Sequence, residues 1–263
     1  MIKAAVLGSP IDHSLSPVLH AAAYRSLDIP AEYGRFDVTI ENFASFLSGH
    51  EDYDGFSLTM PLKEIAVDFA HEVPEIDKRM SSINTLVKRT FGWYGCSTDR
   101  LGIARLLGQA ELQSAAVIGA GGTARSALAA IEGIDLSIPV TVFVRNLAKA
   151  EQLVASSKLL NLSIRPLSDL ELENFSAVVQ TTPAGAIDPY LTQVERVNGL
   201  LIEAIYQPWP TQLASIFSAA GERVLSGRDM LIEQAIFQVE LFTGVSVDHS
   251  EIRTVMREAL TGI

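Results

Sequence analysis

A cluster of glycines in mid-chain is the first group of residues whose types and spacing suggest ligand chemistry. A short apolar run ends at Ile118, and Gly119, Gly121 and Ala124 then fit the pattern G-x-G-x-x-G/A. In such a turn the first glycine bends the chain, the second lets the backbone approach a pyrophosphate, and the third small residue lets helix and strand pack closely. The N–H groups and positive dipole end of the following helix would hold the phosphates. The pattern predicts a dinucleotide site, although an ordinary strand-to-helix turn would share it.

The residues after the next predicted strand bear on the identity of that dinucleotide. The strand at 140–144 is followed by Arg145 and Asn146, with Lys149 one turn into the next helix. An acidic residue at this position would bind the ribose 2′-hydroxyl of NAD, and the sequence has none there. Two cations and an amide suit the 2′-phosphate of NADP instead. NADP is therefore favoured over NAD, with a solvated helix start as the alternative interpretation.

Four polar clusters lie in the first 100 residues, each beside a predicted tight turn. The clusters are Ser14-Leu-Ser16-Pro17, Thr59-Met-Pro-Leu-Lys63, Asn84-Thr85 and Thr98-Asp99. None contains the hydrolase motifs G-x-S-x-G or Ser-x-x-Lys. A single cluster of this kind would be typical of helix capping. Together they put hydroxyls, an amide, one lysine and one carboxylate at strand ends, where open α/β sheets bind ligands.

Composition narrows the class of protein. The 263 residues suit two domains, and with 48% hydrophobic and 19% charged residues the chain can bury sizeable cores. A net charge of −11 argues against a nucleic-acid-binding protein. The five histidines and the single cysteine show no metal-ligand spacing, so we expect no metal site. No signal peptide or membrane-spanning run is evident, and we expect a cytoplasmic protein.

Short β-rich runs alternate with helical stretches, which indicates an α/β fold with mainly parallel sheets. Before the glycine turn, strands are predicted at 2–7, 32–38, 55–59, 84–88 and 92–96, and helices at 16–27, 61–70 and 99–108. Ser16, followed by Pro17, is predicted to cap the first of these helices. After the turn, strands are predicted at 140–144, 163–166, 177–181 and 200–205. Such a repeated pattern of strands and helices is typical of a nucleotide-binding fold. Two further helices are predicted, one from 227 onwards and one at 250–260.

In these motifs the chain resembles the shikimate dehydrogenase family, in order and over nearly its full length. The segments that carry the resemblance are Gly8-Ser-Pro-Ile-Asp-His13-Ser14-Leu-Ser16-Pro17, Gly55-Phe-Ser-Leu-Thr59-Met-Pro61-Leu-Lys63, Ile83-Asn84-Thr85-Leu86, Gly95-Cys-Ser-Thr98-Asp99-Arg-Leu-Gly102, Gly119 to Arg125, Arg145 to Ala150, Thr182-Pro-Ala-Gly185, Tyr206-Gln-Pro-Trp-Pro-Thr211 and Gly227-Arg-Asp-Met230-Leu231-Ile-Glu-Gln234. The resemblance implies an α/β substrate-binding domain of residues 1–100 and 227–263, to which the C-terminal helices return. Residues 101–226 would form a Rossmann-type NADP-binding domain.

The resemblance also implies an enzyme, an NADP-dependent oxidoreductase that reversibly reduces 3-dehydroshikimate to shikimate in aromatic amino-acid and chorismate biosynthesis. Ser14 and Ser16 would bind the substrate carboxylate, with Tyr206 nearby. The residues that would contact the ring hydroxyls are Thr59, Lys63, Asn84, Asp99 and Gln234. Those that would contact the cofactor are Gly119, Ala120, Gly121, Gly122, Thr123, Val144, Arg145, Asn146, Lys149, Ile205 and Gly227. Lys63 and Asp99 would be the catalytic pair at the reacting carbon.

The chemistry of Lys63 and Asp99 fits such a reduction. Hydride added to a carbonyl carbon leaves an alkoxide that needs a proton and a nearby positive charge, and a lysine ammonium supplies both. Asp99 can hold Lys63 in position and bind a substrate hydroxyl. Either residue could transfer the proton, and we favour Lys63. A lysine at a helix start opposes the helix dipole, which favours a functional role over an ordinary surface position.

Departures from the family pattern concern fine substrate preference rather than the reacting groups. Ser57 and Ser97 each replace the usual Asn, Gln180 replaces Asn, Glu203 replaces Asp, and Ser81-Ser82 replace Gly-Ala. A quinate/shikimate dehydrogenase that favours NAD and a catalytically silent NADP-binding regulator remain alternative functions. We expect small-molecule partners, no nucleic acid, no membrane, and a monomer or homodimer.

Overall fold

The computed structural model of the protein describes residues 1–262, apart from the side chains of Lys149 and Gln152. The predicted cofactor contact of the Lys149 side chain therefore lies outside the described residues. The chain divides into two compact units, Met1–Asp99 with Leu231–Ile263, and Arg100–Met230. No helix of the described chain is long and apolar enough to cross a membrane. Within residues 1–262, no three acidic, histidine or cysteine side chains group in a way that could hold a metal ion.

The described chain contains strands and α-helices in the following order. The first elements are β1 (Ile2–Gly8), α1 (Ser16–Ser26), β2 (Ala31–Asp37), α2 (Phe43–Gly49), β3 (Gly55–Leu58), α3 (Glu75–Arg79), β4 (Thr85–Arg89) and β5 (Gly92–Cys96). They are followed by α4 (Thr98–Leu107), β6 (Ala115–Ile118), α5 (Gly122–Ile134), β7 (Val140–Val144), α6 (Leu147–Ala155), β8 (Leu162–Pro166), β9 (Ala177–Gln180), β10 (Leu200–Glu203) and α7 (Gln212–Ala219). The last are β11 (Val224–Leu225), α8 (Gly227–Thr243) and α9 (His249–Ala259).

The first unit is built on a five-stranded sheet with the strand order β2-β1-β3-β4-β5. β1 pairs in parallel with β2 and β3, whereas β4 pairs antiparallel with β3 and β5. Residues 4–8 of β1 and the whole of β3 are buried, as expected for strands that are covered on both faces. The carboxyl ends of β1, β3 and β5 and the amino end of β4 therefore lie at one edge of the sheet.

The C-terminal helices complete a core of the first unit. Leu19 of α1, Ile236 of α8 and Met256 of α9 are all buried in one apolar cluster. In α9 the buried residues Ile252 and Met256 are four apart, so they lie on one face of the helix. Asp248 caps α9, because its side chain accepts hydrogen bonds from the backbone N–H groups of the first turn.

The second unit contains a six-stranded parallel sheet with the order β11-β10-β9-β6-β7-β8. With β6 counted as the first strand, this is the order 3-2-1-4-5-6 of the Rossmann fold. The strand order reverses between β6 and β9, which is where such sheets bind their ligands. The predicted α/β fold with a Rossmann-type unit is confirmed.

Two local predictions are wrong. Leu15, rather than Ser16, occupies the N-cap position of α1, and no side chain caps that helix. The helix predicted at 61–70 is a turn, closed by a hydrogen bond from Leu62 N to Thr59 O at 2.9 Å, followed by a short 3₁₀ helix, Ile65–Phe69. Leu62 and its apolar neighbours pack into the core beneath the sheet, and this tertiary packing overrides the local helical pattern.

Candidate active site

The polar clusters of the first unit lie at one edge of the five-stranded sheet. Ser14 and Ser16 follow β1 and Thr59 follows β3, and these strands are parallel neighbours that end at the same edge. Asn84 precedes the antiparallel β4, and its carbonyl accepts a hydrogen bond from Leu58 N at 2.7 Å. The topology therefore gathers residues that are far apart in the sequence.

Lys63 and Asp99 form a close ion pair in the first unit. Lys63 Nζ donates to Asp99 Oδ2 at 2.6 Å, and the two side chains are 21% and 6% exposed. Asp99 stands in the first turn of α4, where the positive end of the helix dipole favours a carboxylate. Partial burial strengthens the charge-assisted hydrogen bond, while the ammonium keeps some contact with solvent. The two predicted catalytic residues are thus in contact.

Asn84 holds the second oxygen of Asp99. Asn84 Oδ1 accepts from Thr98 N at 2.6 Å and from Asp99 N at 3.3 Å, two donors that the start of α4 leaves without helical partners. Because these donors fix the amide oxygen, Asn84 Nδ2 donates to Asp99 Oδ1 at 2.9 Å and to Gln234 Oε1 at 3.1 Å. Lys63, Asn84, Asp99 and Gln234 therefore form one hydrogen-bonded group.

Ser14 and Ser16 follow β1, and Thr59 follows β3. Both strands end at the same edge of the sheet as β5, which precedes Asp99. Ser14 Oγ accepts from Ser16 N at 3.4 Å, and the Ser16 hydroxyl does not act as a helix cap. Thr59 N donates to Leu7 O at 2.9 Å. A Cβ at Gly8 would come within 2.3 Å of Thr59 Cγ2, so the close approach of the two strand ends requires glycine. That the two serines bind a carboxylate stays a prediction.

In the second unit the glycine turn lies at the end of β6, beside β9. Gly119 has a φ of +121°, and a Cβ there would come within 2.4 Å of Thr181 Oγ1, so the turn requires glycine. Gly121 holds the N-cap position of α5, and a Cβ on it would meet no heavy atom of the described chain within 4 Å beyond its neighbours. The amino end of α5 thus faces open space that suits a phosphate group.

Thr182 is a candidate cofactor contact; it lies in one of the segments that carry the family resemblance, but no role was predicted for it. Its Oγ1 is buried and has no hydrogen-bond partner among residues 1–262 with described side chains. Gln180 fixes the Thr182 backbone, since Thr182 N donates to Gln180 Oε1 at 2.6 Å and Gln180 Nε2 donates to Thr182 O at 3.2 Å. A buried hydroxyl without a partner is costly unless a ligand satisfies it. The available signals were its place in the segment Thr182-Pro-Ala-Gly185 and its position two residues after the end of β9, at the reversal of strand order.

The end of β7 carries the residues predicted to select the cofactor. Arg145 and Asn146 are exposed and follow the buried Val144. Asn146 Oδ1 accepts from Ala148 N at 3.0 Å, so this side chain also orders the start of α6. The end of the strand presents a guanidinium and no carboxylate, as a 2′-phosphate site requires.

The segment after β10 lies against the start of α8. Gly227 N donates to Ile205 O at 3.1 Å, and a Cβ on Gly227 would come within 2.5 Å of Ala204 O. This approach brings the predicted cofactor contacts Ile205 and Gly227 together. Tyr206, the predicted substrate contact of this segment, lines a cavity of about 400 Å³. Trp209, Ser226 and Arg228 also line it.

Glu203, at the end of β10, is a fully buried carboxyl. Burial raises the pKa of Glu203 to about 7, although the hydrogen bond from Thr211 acts in the opposite direction. Thr211 Oγ1 donates to Glu203 Oε2 at 3.0 Å and accepts from Ala214 N at 3.0 Å, so it also caps α7. Glu203 therefore titrates near neutral pH within the second unit.

Comparison with known proteins gives one consistent family. The model of the shikimate dehydrogenase substrate binding domain matches residues 6–86, and that of the shikimate 5′-dehydrogenase C-terminal domain matches residues 227–261. A shikimate dehydrogenase (NADP(+)) of Shouchella clausii is 30% identical, over 97% of this chain and 98% of the relative. The crystal structure of Mycobacterium tuberculosis shikimate dehydrogenase matches with a TM-score of 0.89 at 35% identity, over 98% of this chain and 100% of that one.

A third similar protein was crystallised with ligands. It is a shikimate 5-dehydrogenase from Thermus thermophilus in complex with NADP(H) and shikimate, and it matches with a TM-score of 0.82 at 29% identity. The match covers 99% of this chain and 100% of that one. Sequence and structural similarity thus extend over both units, and the chain belongs to the shikimate dehydrogenase family.

Proposed function

We propose that the protein is an NADP-dependent shikimate dehydrogenase, which reversibly reduces 3-dehydroshikimate to shikimate in aromatic amino-acid biosynthesis. The contact of 2.6 Å between Lys63 Nζ and Asp99 Oδ2 carries the proposal. It supports a reduction because a positioned ammonium can protonate the oxygen on which negative charge develops. In this proposal the first unit binds the substrate and the second unit binds NADP.

The residues of the second unit fit NADP. The open space beside Gly121 supports a pyrophosphate site at the start of α5. The unsatisfied hydroxyl of Thr182 supports a polar contact to the same ligand, and Arg145 supports binding of the 2′-phosphate. When bound, the nicotinamide of NADPH supplies the hydride, and that of NADP takes it up in the reverse direction.

The residues of the first unit would handle the substrate and the proton. Ser14 and Ser16 bind the carboxylate, and Lys63 donates a proton from Nζ to the carbonyl oxygen that becomes the hydroxyl of shikimate. One N–H bond breaks and one O–H bond forms, so the lysine is left as a neutral amine that regains a proton from solvent. The partial exposure of Lys63 allows that exchange. Asp99 orients the ammonium, and Asn84 in turn orients Asp99.

The test follows the absorbance of NADPH during incubation with 3-dehydroshikimate. We expect the wild type to oxidise NADPH, and Lys63→Ala to lower kcat by about two or more powers of ten, as removal of a positioned acid does. Lys88→Ala is the matched control, because Lys88 lies in the same unit with its ammonium 4.9 Å from the centre of the Trp93 ring. It should leave kcat unchanged.

Three results would contradict parts of this proposal. Absence of NADPH oxidation by the wild type would overturn the enzyme assignment and favour a silent NADP-binding protein. Near-normal turnover by Lys63→Ala would overturn the role of the lysine. A clear preference of the wild type for NADH over NADPH would overturn the choice of cofactor.

A further inference from the structure

Gln238 lies one helical turn after Gln234 in α8 and is fully buried. Its Oε1 accepts from Ser57 Oγ at 2.8 Å and lies 3.2 Å from His20 Nε2. Its Nε2 donates to Thr85 Oγ1 at 3.0 Å and to the backbone carbonyl of Asn84 at 3.3 Å. Both hydrogens and both lone pairs of this amide are therefore used.

The orientation of the Gln238 amide is fixed by its neighbours. The backbone carbonyl oxygen of Asn84 can only accept, so the amide nitrogen must face it and the amide oxygen must face His20. His20 Nε2 is then the donor, and His20 Nδ1 accepts from Tyr24 Oη at 3.1 Å. Burial lowers the pKa of His20 to about 3, so the ring stays neutral near pH 7 and this tautomer persists.

The amide of Gln238 is connected to Asp99 by short steps. The hydroxyl oxygen of Thr85 accepts a hydrogen bond from Gln238 and lies 3.0 Å from the hydroxyl oxygen of Thr98. Thr98 N and Asp99 N both donate to Asn84 Oδ1. The backbone of Asn84 is thus held by Gln238, while its side chain holds the start of α4 and the carboxylate of Asp99.

The same network extends to the other polar cluster of the site. Ser57, which donates to Gln238, accepts from Tyr33 Oη at 2.6 Å. Ser16, one of the residues proposed to bind the substrate carboxylate, lies beside the Tyr33 hydroxyl. Gln238, itself fully buried, is therefore hydrogen-bonded on one side to Ser57, the partner of Tyr33, and on the other to Thr85 and the backbone of Asn84.

We infer that Gln238 is a positioning residue, which holds Asn84 and Thr85 and through them orients Asp99 toward Lys63. The inference rests on the proposed function, because its effect is expressed in reduction of 3-dehydroshikimate. Gln238 acts on Asp99 only through hydrogen bonds to these residues, so its loss should lower kcat more than it raises KM.

The variant Gln238→Met keeps most of the side-chain volume and removes all of the hydrogen bonds. We expect kcat to fall about tenfold, the effect of about 1.4 kcal/mol, while KM for 3-dehydroshikimate and NADPH changes little. Thr85→Val removes the hydroxyl that receives the bond from Gln238, and it should lower kcat in the same way. Thr85→Val therefore provides a second test of the inference if Gln238→Met does not fold.

Val239→Ala is the matched control for general destabilisation. Val239 is the next residue of α8 and is also fully buried, so its truncation should lower the melting temperature without changing kcat. A double-mutant cycle with Asp99→Asn distinguishes this role from a purely structural one, which would give no coupling between the two substitutions. If Gln238 acts through Asp99, Gln238→Met should have a much smaller effect on kcat in the Asp99→Asn protein.

The outcomes separate this inference from the proposed function. Wild-type turnover together with unchanged kcat in a folded Gln238→Met protein would overturn the inference alone. A loss of kcat that is the same in the wild-type and Asp99→Asn backgrounds would overturn the route through Asp99. Absence of turnover by the wild type would overturn the proposed function, and this inference with it.

Discussion

Replacement of Asp99 by asparagine tests the ion pair with the least change of shape. In the wild type, Asp99 Oδ2 accepts from Lys63 and Asp99 Oδ1 accepts from Asn84 Nδ2. An asparagine has one acceptor oxygen, so its NH₂ group must face either Lys63 or Asn84. Both of those groups donate at this point, so in either rotamer the NH₂ group of the asparagine faces another donor. The variant loses a charge and gains a mismatch at one of the two contacts.

The expected magnitude follows from the contacts that are lost. A hydrogen bond to a charged group contributes about 1.5–3 kcal/mol. A change of 1.36 kcal/mol in the barrier alters the rate tenfold, so kcat/KM should fall roughly 10- to 150-fold. Most of the loss should appear in kcat, because Asp99 is proposed to orient the proton donor and the serines proposed to bind the carboxylate are unchanged.

The assay measures initial rates of NADPH oxidation over a range of 3-dehydroshikimate concentrations, with thermal unfolding of the same preparations. Asp54→Asn is the matched control, since Asp54 Oδ2 accepts from Lys3 N at 2.7 Å in the same unit. That substitution should leave kcat unchanged. If folded Asp99→Asn kept the kcat/KM of the wild type, the reasoning about the ion pair would be refuted.

Three further predictions concern the second unit. Gly121→Val should raise KM for NADPH at least about tenfold, because a Cβ at this position points into open space proposed to hold the pyrophosphate; unchanged KM would contradict that site. Arg145→Ala should raise KM for NADPH about tenfold or more by loss of a charged hydrogen bond and leave KM for NADH unchanged; equal effects on both would contradict a 2′-phosphate contact. Burial raises the pKa of Glu203 from an ordinary 4.5 to about 7, so the protonated carboxyl favours the folded state. This stabilisation, on the order of 3 kcal/mol, is fully present below pH 4.5 and is lost as pH rises to about 7. Urea midpoints at about pH 5 and pH 8 should therefore differ less in Glu203→Gln than in the wild type, and equal differences would contradict the shift.

Strands of the second unit could be predicted closely because their signals are local. The strand at 140–144 was predicted with the bounds that the structure gives to β7. Buried parallel strands are short apolar runs in the sequence. The turn after β6 could be predicted because a glycine occupies position 119. The segment 61–70 lacked such a signal, since its path depends on how Leu62 packs against the sheet.

The contacts of the candidate site could not be predicted from spacing alone. Lys63 and Asp99 are 36 residues apart, and they meet because β3, β4 and β5 are consecutive neighbours in the first sheet. The family resemblance named both residues, but neither the pattern nor the resemblance indicated the role of Asn84 Oδ1 at the start of α4. The unsatisfied hydroxyl of Thr182 is likewise a property of three-dimensional packing.

The net charge of the chain raises the question of how it would bind two anionic ligands. At physiological ionic strength, charges are screened over about 8 Å, so distant surface carboxylates oppose binding less than local donors favour it. The second unit offers such donors at the amino end of α5, where Gly121 faces open space, and at the exposed Arg145. In the first unit, Asp99 balances Lys63 through one oxygen while Asn84 holds the other. Recognition of an anion by this acidic protein therefore depends on a few placed donors rather than on its overall charge.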